Sequence, residues 1–227
     1  MPSVAATALL REAVERETSV ARAGLPNRFR RAAHQMAERD QLVAPAFRFA
    51  IVDLERPAAA TLHAGGMILH APRLLPAAGE LTALACGVAT IGARLEQRVT
   101  ALCAERSVSL ALALDALGNH CLHVLSRRLQ DRMLAAARNR GLVLAGELRP
   151  GDPGLALDAQ PTVLGLADAD AIGVTVTRGC LLHPLKSISM VLGAGLGLPP
   201  AHWSRCDDCR SRSTCKFIAR AAERAPA

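Results

Sequence analysis

The longest regular pattern in this chain is helical and covers residues 107–140, and it limits the fold more than any other stretch. Leucines recur along it with the spacing of one helix face, at Leu110, Leu114, Leu117, Leu125, Leu129 and Leu134. Asp115, Gly118 and Asn119 interrupt this stripe, so we predict a break with a helix cap at Asn119. Gly141 follows the last helical position and is expected to end the helix.

Strand-like stretches lie on both sides of this helix. Residues 47–54 alternate as a strand does, residues 67–70 follow the turn residues Gly65-Gly66, and residues 80–90 form an apolar run. Further helices are predicted over residues 4–23, 28–39, 92–106 and 158–168, and a further strand over residues 172–177. Because the strands and helices do not alternate as regular βαβ units, the pattern indicates the α+β class.

The length of 227 residues permits one or two domains. We expect a helical segment over residues 1–40 and an α+β domain over residues 41–200. A Cys-rich tail, residues 201–227, is expected to pack on the same domain.

Composition and charge argue against several classes of function. Aromatic residues make up only 2% of the chain and Tyr is absent, which disfavours nucleic-acid binding through stacked bases. The formal charge of +7 is spread along the sequence, as expected for a solvated surface or for attraction to an acidic partner.

The N-terminal sequence bears on localisation. Charged residues interrupt any signal-peptide core there, at Arg11, Glu12, Glu15 and Arg16. No apolar window reaches the length of a membrane helix without charge. We therefore expect a cytoplasmic protein with reduced thiols and no membrane contact.

Three closely spaced cysteines, Cys206, Cys209 and Cys215, are surrounded by charged residues rather than by apolar ones. A Cys-x2-Cys turn brings two soft thiolate ligands together, and neighbouring Arg and Lys favour the thiolate form. This pattern predicts a metal site, either an iron–sulfur cluster or zinc, between which the spacing does not decide. A fourth ligand has to come from elsewhere.

Cys180 is the favoured fourth ligand on spacing, and His183 and His202 are the other candidates. The remaining cysteines, Cys86, Cys103 and Cys121, stand in apolar or helical surroundings and are expected to be structural.

Four segments occur in a fixed order along residues 76–217. They are Ala89-Thr90-Ile91-Gly92, Leu114-Asp115-Ala116-Leu117-Gly118, Arg149-Pro150-Gly151-Asp152, and Ile172-Gly173-Val174 running into Pro184-x-Lys186-Ser187-x-Ser189. In order and spacing they resemble the activation domain of cobalamin-dependent methionine synthase and its small stand-alone relatives. The cysteine tail is similar to one carried by the stand-alone relatives.

The resemblance implies a twisted, mainly antiparallel sheet flanked by helices. It also implies that S-adenosylmethionine is bound by the stiff polar loop and by nearby helix and strand residues, namely His123, Arg149, Pro150, Gly151, Asp152, Lys186, Ser187 and Ser189. In that family the methyl group is presented to cob(II)alamin while an outside electron donor reduces the cobalt. The chain lacks the family's B12-binding and substrate modules. It is therefore expected to act in trans on a corrinoid-binding protein or a split methionine synthase subunit, which carries the cobalamin.

The sequence departs from the family pattern at three positions. Asp152 replaces the tyrosine of the loop, Arg149 directly precedes Pro150, and His123 stands where the family usually has glutamate. A neutral His is a weaker partner than a carboxylate for a sulfonium cation. Asp152 offers a negative charge that can compensate.

Two other functions fit the same residues. In one, the chain is a non-catalytic adaptor that docks a corrinoid protein, and the cysteines form a structural zinc knuckle. In the other, the chain is a redox carrier that does not bind S-adenosylmethionine. The identity of the metal separates these alternatives from a reactivation protein whose iron–sulfur cluster relays the electron.

Overall fold

A computed structural model describes residues 5–19 and 26–199 of the chain. The helices are α1 (Ala6–Ser19), α2 (Asn27–Arg39), α3 (Arg94–Ala104), α4 (Val108–Asn139) and α5 (Gln160–Leu166). The strands are β1 (Ala46–Asp53), β2 (Thr61–Ala64), β3 (Met67–His70), β4 (Glu80–Thr90), β5 (Val143–Leu148), β6 (Thr175–Val176), β7 (Leu182–His183) and β8 (Ser187–Leu196). Short 3-10 helices cover Pro72–Leu74, Leu157–Ala159 and Ala169–Ile172.

A four-stranded sheet in the order β1-β4-β8-β5 forms the centre of the fold, and its strand pairs are antiparallel. Thr90 of β4 lies opposite Ser187 of β8, and Glu80 lies opposite Leu196. We call the end at Thr90 and Ser187 the upper end, and the end at Glu80 and Leu196 the lower end. A rise of about 3.4 Å per residue along β4 separates the two ends by roughly 30 Å.

Helix α4 covers one face of the sheet because β4 presents small side chains to it. Ala85, Gly87 and Ala89 alternate toward α4, and a Cβ on Gly87 would lie 2.8 Å from the sulfur of Met133. Helices α1, α2 and α3 pack against α4. By length and composition α4 is apolar enough to cross a membrane, but Leu114, Leu117, Leu125 and Leu129 are buried in the core that it shares with the sheet and these helices.

The opposite face of the sheet carries the hairpin β2–β3, helix α5 and the short hairpin β6–β7. Leu84, Cys86 and Val88 of β4 point into this second core, where they meet Val163 and Leu166 of α5. Complete burial in apolar surroundings raises the pKa of the Cys86 thiol to about 12. Cys86 is therefore an unreactive core residue.

The predicted α+β class, with an antiparallel sheet flanked by helices, is confirmed. The predicted strand over residues 80–90 is confirmed as β4. The predicted break at Asn119 is wrong, since α4 is continuous. The amide of Asn119 donates to the carboxylate of Asp115 one turn earlier, at 3.1 Å, so neither side chain competes for the helix backbone.

The predicted strand over residues 172–177 is also wrong in its bounds. The 3-10 helix Ala169–Ile172 occupies its start, and Gly173 has a positive φ of 68°. Only Thr175–Val176 pair as a strand. The two sheet strands that the periodicity did not indicate, β5 and β8, both contain glycine and so lack a clear alternation.

Candidate functional site

The segment after β4 and the segment before β8 are bonded together at the upper end of the sheet. Ile91 N–H donates to the carbonyl of Lys186 at 3.1 Å. The hydroxyl of Ser187 donates to that of Thr90 at 2.8 Å, and Gly92 N–H donates to the same Thr90 oxygen at 3.0 Å. Two of the four sequence segments are therefore one structural unit.

Lys186 ties this unit to the first half of α4. Its ammonium group lies 2.6 Å from Oδ1 of Asp115 and donates to Oδ1 of Asn119 at 2.7 Å. Its backbone N–H donates to Oε2 of Glu96, on α3, at 3.2 Å. Gly118 makes room for Leu95 of α3, since a Cβ there would lie 2.8 Å from Leu95 Cδ2. The Lys186 side chain is only 13% exposed, whereas the Asp115 side chain is 41% exposed, so it is the ammonium group of this ion pair that is shielded from water.

The third segment, Arg149-Pro150-Gly151-Asp152, is a turn that follows β5, and hydrogen bonds between its first and last residues close it. Oδ2 of Asp152 accepts the N–H of Arg149 at 2.8 Å, and Asp152 N–H donates to the Arg149 carbonyl at 2.8 Å. Gly151 has a φ of +96°, a conformation that L side chains rarely adopt. The carboxylate of Asp152 therefore shapes the turn.

A chain of polar contacts connects this turn to the second half of α4. The guanidinium of Arg149 donates to Oε1 of Glu147 at 3.0 Å. Oε2 of Glu147 accepts a hydrogen bond from Gln130 of α4 at 2.7 Å. Glu147 lies opposite Leu192 in the register, so it faces the α4 side of the sheet.

His123 lies on the same face of α4 as these contacts. At 100° per residue, positions 115, 119, 123 and 130 fall within an arc of about 80°. His123 is about 6 Å along the helix axis from Asn119 and about 10 Å from Gln130, and it is exposed. We call the area bounded by α4, Lys186 and the turn Arg149–Asp152 the upper-end surface.

The remaining predicted residues point to the other side of the sheet. Ser187 and Ser189 are buried, and they alternate with Lys186 and Ile188 along β8. The hydroxyl of Ser189 accepts a hydrogen bond from the buried amide of Gln160, on α5, at 2.6 Å. The two serines therefore anchor the strand, whereas Lys186 faces the upper-end surface.

Several polar residues that contribute to this surface were not singled out as site residues from the sequence. They are Glu96, Asp115, Asn119, Gln130 and Glu147. The i, i+4 spacing of Asp115 and Asn119 could have indicated that both lie on one helix face, although the same residues also predict a helix break.

Two clefts lie away from the predicted site residues. The larger, of about 660 Å³, is at the lower end and is lined by Leu54, Glu55, Arg56, Pro57, Ala58, Leu75, Pro76, Gly79, Glu80, Leu81 and Thr82. The smaller, of about 360 Å³, lies beside α5 and includes Asp168 and Asp170. The larger cleft has Glu55, Arg56 and Glu80 exposed around apolar residues. The upper-end surface instead holds two hydrogen-bonded groups, Lys186 with Asp115 and Asn119, and Arg149 with Glu147 and Gln130.

The three tail cysteines predicted as metal ligands, and His202, lie outside the residues that the structure describes. Cys180 is half-buried in the turn between β6 and β7, with a φ of +59°. His183 is exposed on β7. Across residues 5–19 and 26–199, no group of three or more Cys, His, Asp and Glu side chains is placed to hold a metal.

Comparison with solved structures shows a clear similarity of fold. The solved structure described as "Crystal Structure of the MetH Reactivation Domain bound to AdoHcy" superimposes with a TM-score of 0.63 and 12% sequence identity. The match covers 96% of this chain and 87% of that chain. No family model matches the sequence, and no curated protein matches it either. At this identity the similarity is one of fold, and it confirms the resemblance drawn from the sequence: the chain has the fold of the MetH reactivation domain.

Proposed function

We propose that the chain binds S-adenosylmethionine at the upper-end surface and supports the reductive methylation of a corrinoid carried by another protein. The observation that carries this proposal is the fold similarity to a reactivation domain bound to AdoHcy. AdoHcy is the product that remains when S-adenosylmethionine gives up its methyl group.

The charges of the upper-end surface suit a ligand of this kind. S-adenosylmethionine carries a sulfonium cation, an ammonium group and a carboxylate. Glu96, Asp115 and Glu147 place carboxylates along this surface, and these are the groups proposed to face the two cations. Lys186 has three N–H donors, of which Asp115 and Asn119 take two. The third donor and the Arg149 guanidinium are the groups proposed to bind the ligand carboxylate.

The length of the surface also suits an extended ligand. Leu148, which immediately precedes the turn, pairs with Val191. Val191 is five residues along β8 from Lys186, a separation of roughly 16 Å. We propose that the ligand lies between these two points, with His123 beside its sulfonium group.

The reaction requires a partner protein and a reductant. An electron donor protein supplies one electron to the cobalt of the partner's corrinoid. The cobalt then takes the methyl group from the sulfonium, and S-adenosylhomocysteine is released. This chain binds and orients the methyl donor. Holding two reactants in the right geometry accelerates their reaction because the entropy of bringing them together is already lost on binding.

The tail cysteines are proposed to hold an iron–sulfur cluster that relays this electron, with Cys180 as the favoured fourth ligand. The support is their soft-donor chemistry and spacing. Cys180 is only partly buried, which is compatible with a role as a shared ligand.

Calorimetry with S-adenosylmethionine and S-adenosylhomocysteine tests the binding step. We expect Arg149→Ala to weaken binding about tenfold or more, since it removes a charged hydrogen-bond donor. The matched control is Arg138→Ala, an exposed arginine near the C-terminus of α4, which should leave binding unchanged. No heat at millimolar ligand would instead support the docking adaptor.

A gain-of-function variant tests the orientation of the ligand. His123→Glu restores the carboxylate that the family usually carries at this position. We expect it to tighten binding of S-adenosylmethionine more than that of S-adenosylhomocysteine, because only the former carries the sulfonium charge. Equal effects on both ligands would place His123 away from the sulfonium.

A further inference from the structure

Strand β5 changes the face that it presents to α4 partway along its length. Leu144 packs in the core on the α4 side of the sheet, and Ala145 packs in the core on the α5 side. With regular alternation, residue 147 would follow residue 145 onto the α5 side. The pairing with β8 shifts its register between residues 145 and 147, so Glu147 lies opposite Leu192, on the α4 side.

A β-bulge at Gly146 produces this change of face. Gly146 has a φ of +65°, in the left-handed region that favours glycine. A glycine in this conformation is typical of one type of bulge, which adds a residue to one strand of an antiparallel pair. The added residue turns the next side chain to the other face of the sheet. The bulge therefore brings the carboxylate of Glu147 to α4, whereas regular alternation would direct it into an apolar core.

The two oxygens of the Glu147 carboxylate bond to different elements. Oε2 accepts a hydrogen bond from the amide of Gln130, on α4, at 2.7 Å. Oε1 accepts the Nε–H of Arg149 at 3.0 Å and also lies 3.0 Å from Nη2 of the same guanidinium. Because one oxygen contacts two nitrogens on one edge of a planar group, it fixes the direction of the guanidinium as well as its position. The side chains of Arg149 and Glu147 are only 28% and 24% exposed, so this pair is partly shielded from water.

We propose that Gln130 and Glu147 are positioning residues that hold the guanidinium of Arg149 in the direction from which it binds the carboxylate of S-adenosylmethionine. This inference rests on the proposed function, in which Arg149 binds that carboxylate. Gln130 fixes the carboxylate of Glu147, and Glu147 in turn fixes the guanidinium. An arginine that is already held in its binding conformation loses less side-chain entropy when the ligand binds, so the affinity for the ligand increases.

Calorimetry of the full-length chain with S-adenosylhomocysteine and 5′-methylthioadenosine tests this role. The second ligand keeps the adenosine and the sulfur but lacks the amino acid part, so it offers Arg149 no carboxylate. Gln130→Leu should weaken binding of S-adenosylhomocysteine about threefold to tenfold, through loss of a hydrogen bond to a charged group. It should leave binding of 5′-methylthioadenosine unchanged. Gln97→Leu, the same substitution at an exposed position on α3, should leave the binding of both ligands unchanged.

A double variant separates a positioning role from a general structural effect. In the Arg149→Ala background, Gln130→Leu should cause no further loss of S-adenosylhomocysteine binding, because its effect passes through the guanidinium. Equal weakening of both ligands by Gln130→Leu would overturn the inference and leave the proposed function in place. The same holds for an equal loss with and without Arg149.

NMR of the arginine side chains gives a readout that needs no ligand. The Nε–H signal of Arg149, assigned by its loss in Arg149→Ala, should exchange with water more slowly than that of the exposed Arg138. Gln130→Leu should remove this difference. Equally fast exchange at both arginines in the unmodified chain would overturn the inference even if S-adenosylmethionine binds. Slow exchange at Arg149 without binding of either S-adenosylmethionine or S-adenosylhomocysteine would overturn the proposed function, and the inference with it.

Discussion

Removal of the Asp115 carboxylate should destabilise the fold well beyond what an exposed ion pair contributes. Asp115 Oδ1 lies 2.6 Å from the Lys186 ammonium, whose side chain is 13% exposed. With an effective dielectric constant of about 20, two charges at this distance attract by about 6 kcal/mol before desolvation is subtracted. Exposed pairs retain about 1 kcal/mol or less, whereas leaving a buried charge without its partner costs about 3–5 kcal/mol.

Asp115 is 41% exposed, and Asn119 still accepts one hydrogen bond from the lysine, so the cost should lie between these limits. We expect Asp115→Ala to lower the free energy of unfolding by about 2 kcal/mol. In urea this is a shift of about 1 M in the midpoint, for a slope of about 2 kcal/mol/M.

The control is an ion pair with the same N–O distance and less burial. Arg39 Nε lies 2.6 Å from Asp40 Oδ1, but the arginine side chain is 72% exposed. Asp40→Ala should give no measurable shift in the midpoint. Changing Lys186 to Met in the Asp115→Ala background should recover stability, since the unpaired buried charge is then gone. The reasoning is refuted if Asp115→Ala behaves like Asp40→Ala, or if Lys186→Met makes the single variant worse.

Three further outcomes are expected. Gly87→Val should lower the free energy of unfolding by about 1–3 kcal/mol through overpacking against Met133, whereas Gly179→Val, whose Cβ would meet only Thr177 at 3.9 Å, should be nearly neutral in the same urea assay. Burial raises the pKa of Cys86 to about 12, so its thiol should stabilise the fold fully below pH 9 and lose this contribution as the pH rises from 9 toward 12, by about 1.4 kcal/mol per pH unit. Between pH 8 and 10 the free energy of unfolding, measured in urea, should therefore fall less for Cys86→Ala than for the unmodified chain. Equal slopes would contradict the burial argument. After anaerobic purification, Cys209→Ser should abolish bound iron and sulfide while Cys103→Ser, on α3, should not, and one equivalent of zinc without iron in the unmodified chain would eliminate the electron relay.

The α+β class and strand β4 followed from the sequence because they depend on local patterns. β4 is a largely apolar run of eleven residues, a pattern typical of a strand that is buried on both faces. The four family segments, taken in their order along the chain, also indicated the reactivation-domain fold that the structural comparison shows.

The assignment of side chains to one face of the site required the tertiary structure. Lys186, Ser187 and Ser189 are neighbours in sequence, yet the period of two along β8 sends the serines to α5 and the lysine to α4. By sequence alone Asp115 and Asn119 predict a helix break. In the fold they bond to each other and to the distant Lys186, and the helix continues through them. A sequence pattern records which surface a residue prefers, because burial and propensity are local properties. It does not record which distant charge stands opposite, because pairing is decided only when the sheet closes against α4.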